Sequence, residues 1–310
     1  MKQVLWFSLS VVVVALLLLG WSFTPSRLDT GAPIKVLLPE AHPPAGMSLH
    51  AIEAGYMISN AAFAYRGGSF FDTRQFGMGG ILVQHPKGTL LFDTGFGSTV
   101  DEQFRHIPWL MRMTTRYVKE TPVAEQLKAA GIPLSSITGV VLTHAHWDHV
   151  SGLADLPGVP VWVNHNEEGF IKYGDDATAL IRSMGPLPYK VYSYTSGPYL
   201  GFNKSLDVFD DGSVVLVPAP GHTPGSIIAF INTPDGKRYA LIGDIVWQKE
   251  GIDIPAERPW ISRMLVDFDG DQVRDLIVQL HNLQAAIPGL IVVPAHDRRV
   301  WDGLPKLGSQ

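Results

Sequence analysis

Four side chains of metal-ligating type fall within six consecutive positions, in the run Thr143-His144-Ala145-His146-Trp147-Asp148-His149. Imidazoles and a carboxylate at offsets 0, +2, +4 and +5 have little structural use unless they converge on a cation. Three further candidates stand far away in the chain: His222 in VVLVPAPGH, Asp244 in YALIGD and His296 in LIVVPAH. The chain has no cysteine, so thiolate metal sites, a cysteine nucleophile and disulfides are all excluded. Any metal must be held by histidine and carboxylate, a donor set that suits zinc and also manganese or iron. Seven ligands are too many for one ion that keeps an open position. They are about right for two divalent ions sharing a carboxylate, about 3.5–4 Å apart, with a hydroxide between them. The chemistry of such a pair is hydrolysis.

The segments carrying these residues read as buried strands ending in a ligand: GVVLTHAHWDH, VVLVPAPGH, YALIGD and LIVVPAH. Strand ends give a rigid frame with accessible loops. GILVQHPKGTLLFDTG reads as a hairpin around Pro86-Lys87-Gly88, and SIIAFINT pairs with RYALIGD around Pro234-Asp235-Gly236. TPVAEQLKAAG reads as a helix with Thr121 as N-cap, Pro122 at the first helical position and Gly131 as the stop. Asp269 to Ile287 carries Val273, Leu276, Ile277, Leu280 and Leu283 at helical spacing. Together these predict an α/β fold with sheets sandwiched between helices. The other histidines (His42, His50, His85, His106, His165, His281) read as core or surface residues.

The chain has 310 residues, a net charge of −5 and no basic stripe, which argues against a nucleic-acid partner. Residues 1–24 form an apolar segment that reads as a signal peptide or membrane anchor, with a poor cleavage site at Gly20-Trp21-Ser22. Export, with the catalytic body outside the cytoplasm, is the expectation. If the segment is kept, it gives the protein its contact with the membrane. Residues 25–44 recur in Pro and Gly and read as a linker leading into a first strand at Ile34–Leu38. Residues 45–310 form the hydrolase domain.

THAHWDH followed by GHTPGS, IGD and PAHD resembles the metallo-β-lactamase superfamily over roughly residues 50–300. The resemblance implies an αββα sandwich with a dimetal site at the sheet edge. It implies that His144, His146 and His222 hold one ion, that Asp148, His149 and His296 hold the other, and that Asp244 bridges them. It gives Asp148 a catalytic role in orienting water or protonating the leaving group. Asp93, in Phe92-Asp93-Thr94-Gly95, would accept a hydrogen bond from a ligand imidazole. Thr143 and Thr223 are further candidates for this supporting layer.

Within the superfamily, the main zinc β-lactamases place a cysteine where this chain has Asp244. The helical extension of glyoxalase II is not expected, since only 14 residues follow His296. The layout is closest to the acyl-homoserine-lactone lactonases, including the 22-residue step from His222 to Asp244. Trp247 departs from them, because they typically carry a Tyr there. Aromatic and Met residues in loops, with Trp247, Phe76 and Tyr194 as the candidates, suggest a pocket for an apolar small-molecule substrate. The expected activity is attack by a metal-bound hydroxide on a lactone, ester or thioester. Phosphodiesterase or sulfatase chemistry would instead require a cation near the metals, with Arg66, Arg74, Arg182 and Lys190 as candidates. A membrane-tethered metal-binding module is the non-enzymatic alternative.

Overall fold

A computed structural model describes residues 2–107 and 109–308; the side chains of residues 2–5, 7–9, 11, 106 and 110 lie outside the description, and His106 is among them. The strands are β1 (Ser48–Asn60), β2 (Thr73–His85), β3 (Gly88–Phe92), β4 (Arg116–Lys119), β5 (Ile137–Val141), β6 (Val161–Asn164), β7 (Tyr189–Tyr192), β8 (Leu206–Asp207), β9 (Val214–Pro218), β10 (Ile227–Asn232), β11 (Arg238–Leu241) and β12 (Leu290–Val293). The helices are α1 (Lys2–Ser22), α2 (Ala61–Ala64), α3 (Val100–Gln103), α4 (Trp109–Thr114), α5 (Val123–Ala129), α6 (Trp147–Val150), α7 (His165–Tyr173), α8 (Ala179–Ser183), α9 (Glu250–Asp253), α10 (Trp260–Val266), α11 (Gly270–Ala286) and α12 (Arg298–Trp301).

Seven strands form one sheet in the order β4-β1-β2-β3-β5-β6-β7, and five form a second in the order β12-β11-β10-β9-β8. Side chains alternate across each strand, so each sheet has two faces to bury. Leu90 and Phe92 of β3 point inward to meet Leu216 and Ile231 of the other sheet. Leu91, between them, packs outward with Leu127 of α5 and Ile181 of α8. In the second sheet Val215 and Val217 pack outward against Leu276, Ile277 and Leu280 of α11. The layers are therefore helix, sheet, sheet, helix. β3, β5, β6 and β7 run parallel; β6 and most of β5 are buried on both faces and read as short continuous apolar runs, whereas β7 is the half-exposed edge strand.

Both expected hairpins form, β2–β3 and β10–β11. The long amphipathic helix is α11, capped by the Asp269 carboxylate, which accepts from the N–H groups of Asp271 and Gln272. Two local expectations need correction. Ile34–Leu38 is not a strand, because it lies between Pro33 and Pro39 in an extended segment with no helix or strand. That segment runs over the body, with Leu28 N–H donating to Pro255 O and Asn282 Nδ2 to Thr30 O. Pro122, not Thr121, occupies the N-cap of α5, and the Thr121 carbonyl instead accepts from Gln126 Nε2. The apolar N-terminal segment forms α1; among the described residues, no helix is long and apolar enough to cross a membrane.

Candidate metal centre

The seven ligand-type residues stand on loops leaving the ends of four strands, drawn from both sheets. His144 and His146 follow β5, and Asp148 and His149 open α6 just after it. His222 follows β9, Asp244 follows β11 and His296 follows β12. The two sheets are tied at this edge, where Ile227 N–H donates to Thr143 O and Gly77 N–H to His296 O. Gly243 takes φ +52°, a left-handed turn between β11 and Asp244 that glycine adopts without strain.

All seven side chains meet in one cluster. His144, His146 and His222 offer donor atoms within 4.8 Å of one another, as do His144, His149 and Asp244, and also Asp148, His149 and His296. Asp244 sits at the centre. Its carboxylate lies 3.1 Å from His149 Nε2, 3.0 Å from His296 Nε2 and 3.6 Å from His222 Nε2. Asp148 Oδ2 lies 3.4 Å from His296 Nε2. Only His146 and Asp148 are less than fully buried, so they mark the side from which a substrate arrives.

A second layer holds three of the five imidazoles, those of His149, His222 and His296, by the far nitrogen. Asp93 Oδ2 lies 2.8 Å from His149 Nδ1, and Asp93 also accepts from Thr143 N–H (2.7 Å) and Thr143 Oγ1 (2.6 Å). Asp267 Oδ1 lies 2.9 Å from His222 Nδ1, and the Gly77 carbonyl 2.7 Å from His296 Nδ1. These acceptors fix Nδ1–H on those three rings and turn Nε2 into the cluster as a lone-pair donor. Asp93 does this at φ +56°, a conformation rare for a non-glycine residue and common at functional sites. Thr223 touches no ligand. Its hydroxyl donates to Glu167 Oε2 at 2.7 Å.

Glu167, Asp267 and Arg258 were not singled out from the sequence. Glu167, at the start of α7, staples the two ligand loops: its carboxyl accepts from Ala145 N–H (2.6 Å), Gly225 N–H (3.0 Å) and Thr223. Burial pushes its pKa up to about 7 despite those three donors. A Cβ at position 225 would stand 2.2 Å from the Glu167 nitrogen, so the glycine of this loop makes the close approach possible. Arg258 is buried, donates to Asp244 O at 2.8 Å, and pairs with Asp267 Oδ1. No local pattern marks any of the three. The one sequence cue is that Glu167 opens a helix behind an Asn164 cap.

The electrostatics fit a cation. Burial, and then the neighbouring imidazoles, hold His144 and His146 well below the ordinary histidine value, so both are neutral donors at pH 7. For Asp244 burial favours the protonated form, but His296 and His149 outweigh it and hold the carboxyl well below its usual range. Among the described residues, His144 Nε2 and His222 Nε2 are buried with no hydrogen-bond partner. Such orphaned lone pairs are costly in a protein interior and are satisfied by a metal ion.

The cluster forms the floor of a cleft of about 1020 Å³ lined by Phe76, Met78, Met111, Trp247 and Leu265 among others. Trp247 packs edge-on to Phe76 and donates its indole N–H to Asp244 Oδ2 at 2.8 Å. Tyr194 is a correction, because it lies on a separate groove with Asn164 and Phe202, packed against Tyr192. Sequence proximity to strand ends cannot tell which side of β7 a side chain takes. The four proposed anion-binding cations are engaged elsewhere. Arg66 pairs with Glu257, Arg74 with Asp72 and Glu250, Arg182 with the carbonyls of Ile171, Gly174 and Asp175, and Lys190 lies over the Trp162 ring.

A family model described as the metallo-beta-lactamase superfamily matches residues 81–296. A Mycobacterium tuberculosis protein named as a probable metallo-hydrolase is 30% identical over 238 residues, covering 70% of this chain and 73% of the relative. An N-acyl homoserine lactonase, AttM, of Agrobacterium fabrum is 23% identical over 232 residues, covering 73% and 84%. Among solved structures, an N-acyl homoserine lactone hydrolase with N-hexanoyl-L-homoserine at its catalytic metal centre superposes with a TM-score of 0.66 at 17% identity. That match covers 90% of this chain and 99% of the other, and it bears on the fold alone.

Proposed function

Because this chain belongs to the metallo-β-lactamase superfamily and is a metal-dependent hydrolase, we propose that it uses two divalent ions, most simply zinc, to open a lactone, ester or thioester with an apolar acyl part. His144, His146 and His222 would hold one ion, Asp148, His149 and His296 the other, with Asp244 between them. When bound, the pair supplies an acidified water and polarises the substrate carbonyl. The chain does the rest. Asp93, Asp267 and the Gly77 carbonyl keep three imidazoles in the ligating tautomer. Asp148, less buried than Asp244, is placed to orient the attacking water and pass its proton to the leaving oxygen. Phe76, Met78 and Met111 exclude solvent from the acyl group.

The observation that carries this reading is an apolar cleft whose floor is the ligand cluster. The engagement of Arg66, Arg74, Arg182 and Lys190 elsewhere counts against a phosphodiester or sulfate, although Arg105 lines the cleft and is the cation such an anion would meet. Acyl lactones, aryl esters, bis-phosphodiesters and aryl sulfates, each run with metal-loaded and chelator-treated protein, form the test. Turnover of lactones or esters that stops on chelation is the expected result; turnover confined to phosphodiesters or sulfates would reject it. We further propose that the apolar N-terminal segment directs export of the catalytic body. A C-terminal reporter that is active only outside the cytoplasm checks this, and a silent reporter rejects it.

A further inference from the structure

We infer that the mouth of the cleft docks on a lipid surface, with α1, α4 and α10 as the contact. These three helices surround the opening, and each turns one face into the cleft. Leu19 of α1, Met111 of α4 and Leu265 of α10 all line it. Their opposite faces are apolar and exposed. Trp109 and Met113 project from α4, and Met113 is 74% exposed. Trp260 and Met264 are one turn apart on α10, and Met264 is 65% exposed. Phe71, beside the cleft-lining Phe70, is 98% exposed. Single exposed apolar residues need no explanation, whereas a ring of Trp, Phe and Met around one opening does.

The occupant follows from what borders the ring. α1 is apolar on every side, and a helix of that kind does not face water alone. Its C-terminal end is locked to the body at the mouth. Arg66 donates to Trp21 O and Thr24 O, each at 3.2 Å, and lies over the Trp21 ring. Phe23 packs with Phe63 and Phe70, and Trp260 N–H donates to Ser22 Oγ. The rim therefore continues without a break into α1, whose Leu17 and Trp21 are exposed beside it. Arg105 and Arg112 stand exposed beside the α4 patch, suited to anionic headgroups while the Trp and Met side chains enter the acyl boundary. Asp175 and Asp176 also line the cleft and are exposed, the Asp175 carboxylate accepting from the Ala177 N–H, so this part of the rim offers anionic headgroups no attraction and the headgroup contact falls on the α4 side. An apolar substrate dissolved in the bilayer would then enter the cleft without crossing water. That last step rests on the acyl reading; the docking does not.

The absence of cysteine allows a direct test in the full chain, because one introduced cysteine is the only site of labelling. Met113→Cys, Met264→Cys and Asp235→Cys each receive an environment-sensitive nitrobenzoxadiazole label. Asp235 lies on the β10–β11 turn, at the far end of β10 from the ligand loops. Vesicles of phosphatidylcholine mixed with phosphatidylglycerol are then added. A blue shift and intensity gain at 113 and 264, with none at 235, is expected. No change at 113 and 264, even if α1 carries the protein onto the vesicles, overturns the inference, and so does an equal response at 235. The readout uses no turnover, so a failed substrate assignment leaves it intact.

Discussion

At the closed end of the cleft His144, His149 and Asp244 are buried, and their polar atoms either meet supporting side chains or point unpartnered at the place a cation would take; at the open end Trp260, Met264 and Phe71 face outward, half to almost wholly exposed. The first region is built on strand ends of two sheets, the second on short helices between strands. A ligand set needs positions fixed to a fraction of an ångström, and only the hydrogen-bonded sheet edges, braced by Asp93, Asp267 and Glu167, provide that. A surface for apolar groups needs area rather than precision, and short helices such as α4 and α10, of 6 and 7 residues, are enough.

The sharpest way to break this contrast is to remove a ligand. Asp148→Ala and His149→Ala should each lower kcat/KM by about 10²–10⁴-fold while far-UV circular dichroism stays native. Unchanged turnover in both would mean that the floor does no chemistry. Next in size come the braces. Asp93→Asn and Asp267→Asn should weaken metal affinity by roughly 10–100-fold, measured by competition with a chromophoric chelator. Wild-type affinity in both variants would show that the imidazoles orient themselves without help.

A smaller effect is expected at the walls. Met111→Ala should raise KM for long acyl chains by about 3–10-fold and leave kcat and short-chain substrates unaffected, since it removes only apolar contact. A fall in kcat instead would erase the distinction between floor and wall. The smallest effect belongs to Glu167 and is read in stability. Its folded pKa of about 7 lies above its ordinary value of 4.5, so its contribution is present below pH 4.5 and is lost as pH rises through about 7. Glu167→Gln should flatten that slope in denaturant titrations taken between pH 5 and 8. An unaltered slope would assign the titration to another group.

The supporting layer illustrates where sequence reading stops. Asp93 could be assigned because it follows a strand in a short motif, and the structure gives it the expected partner in His149. Asp267 does the same for His222 across 45 residues, inside a stretch with no distinguishing pattern. Tyr194 looked equivalent to Phe76 as a loop aromatic, yet it packs on the other side of β7, because strand ends give no sign of which way the chain leaves them. Ile34–Leu38 has strand composition but no neighbouring strand to accept its hydrogen bonds.

The order of residues alone determined the donor chemistry: nitrogen and oxygen without sulfur, four ligands crowded into one loop, and buried strands that each end in another. Those are local properties, set by side-chain type and by the period of apolar residues. Convergence was decided by the tertiary structure. Two sheets pack face to face and bring loops from 144 to 296 to one edge, and that packing also selects which carboxylates support the histidines and which apolar side chains remain exposed at the rim. Contacts between residues far apart in the chain arise from packing two layers against each other, and no short window of residues records them.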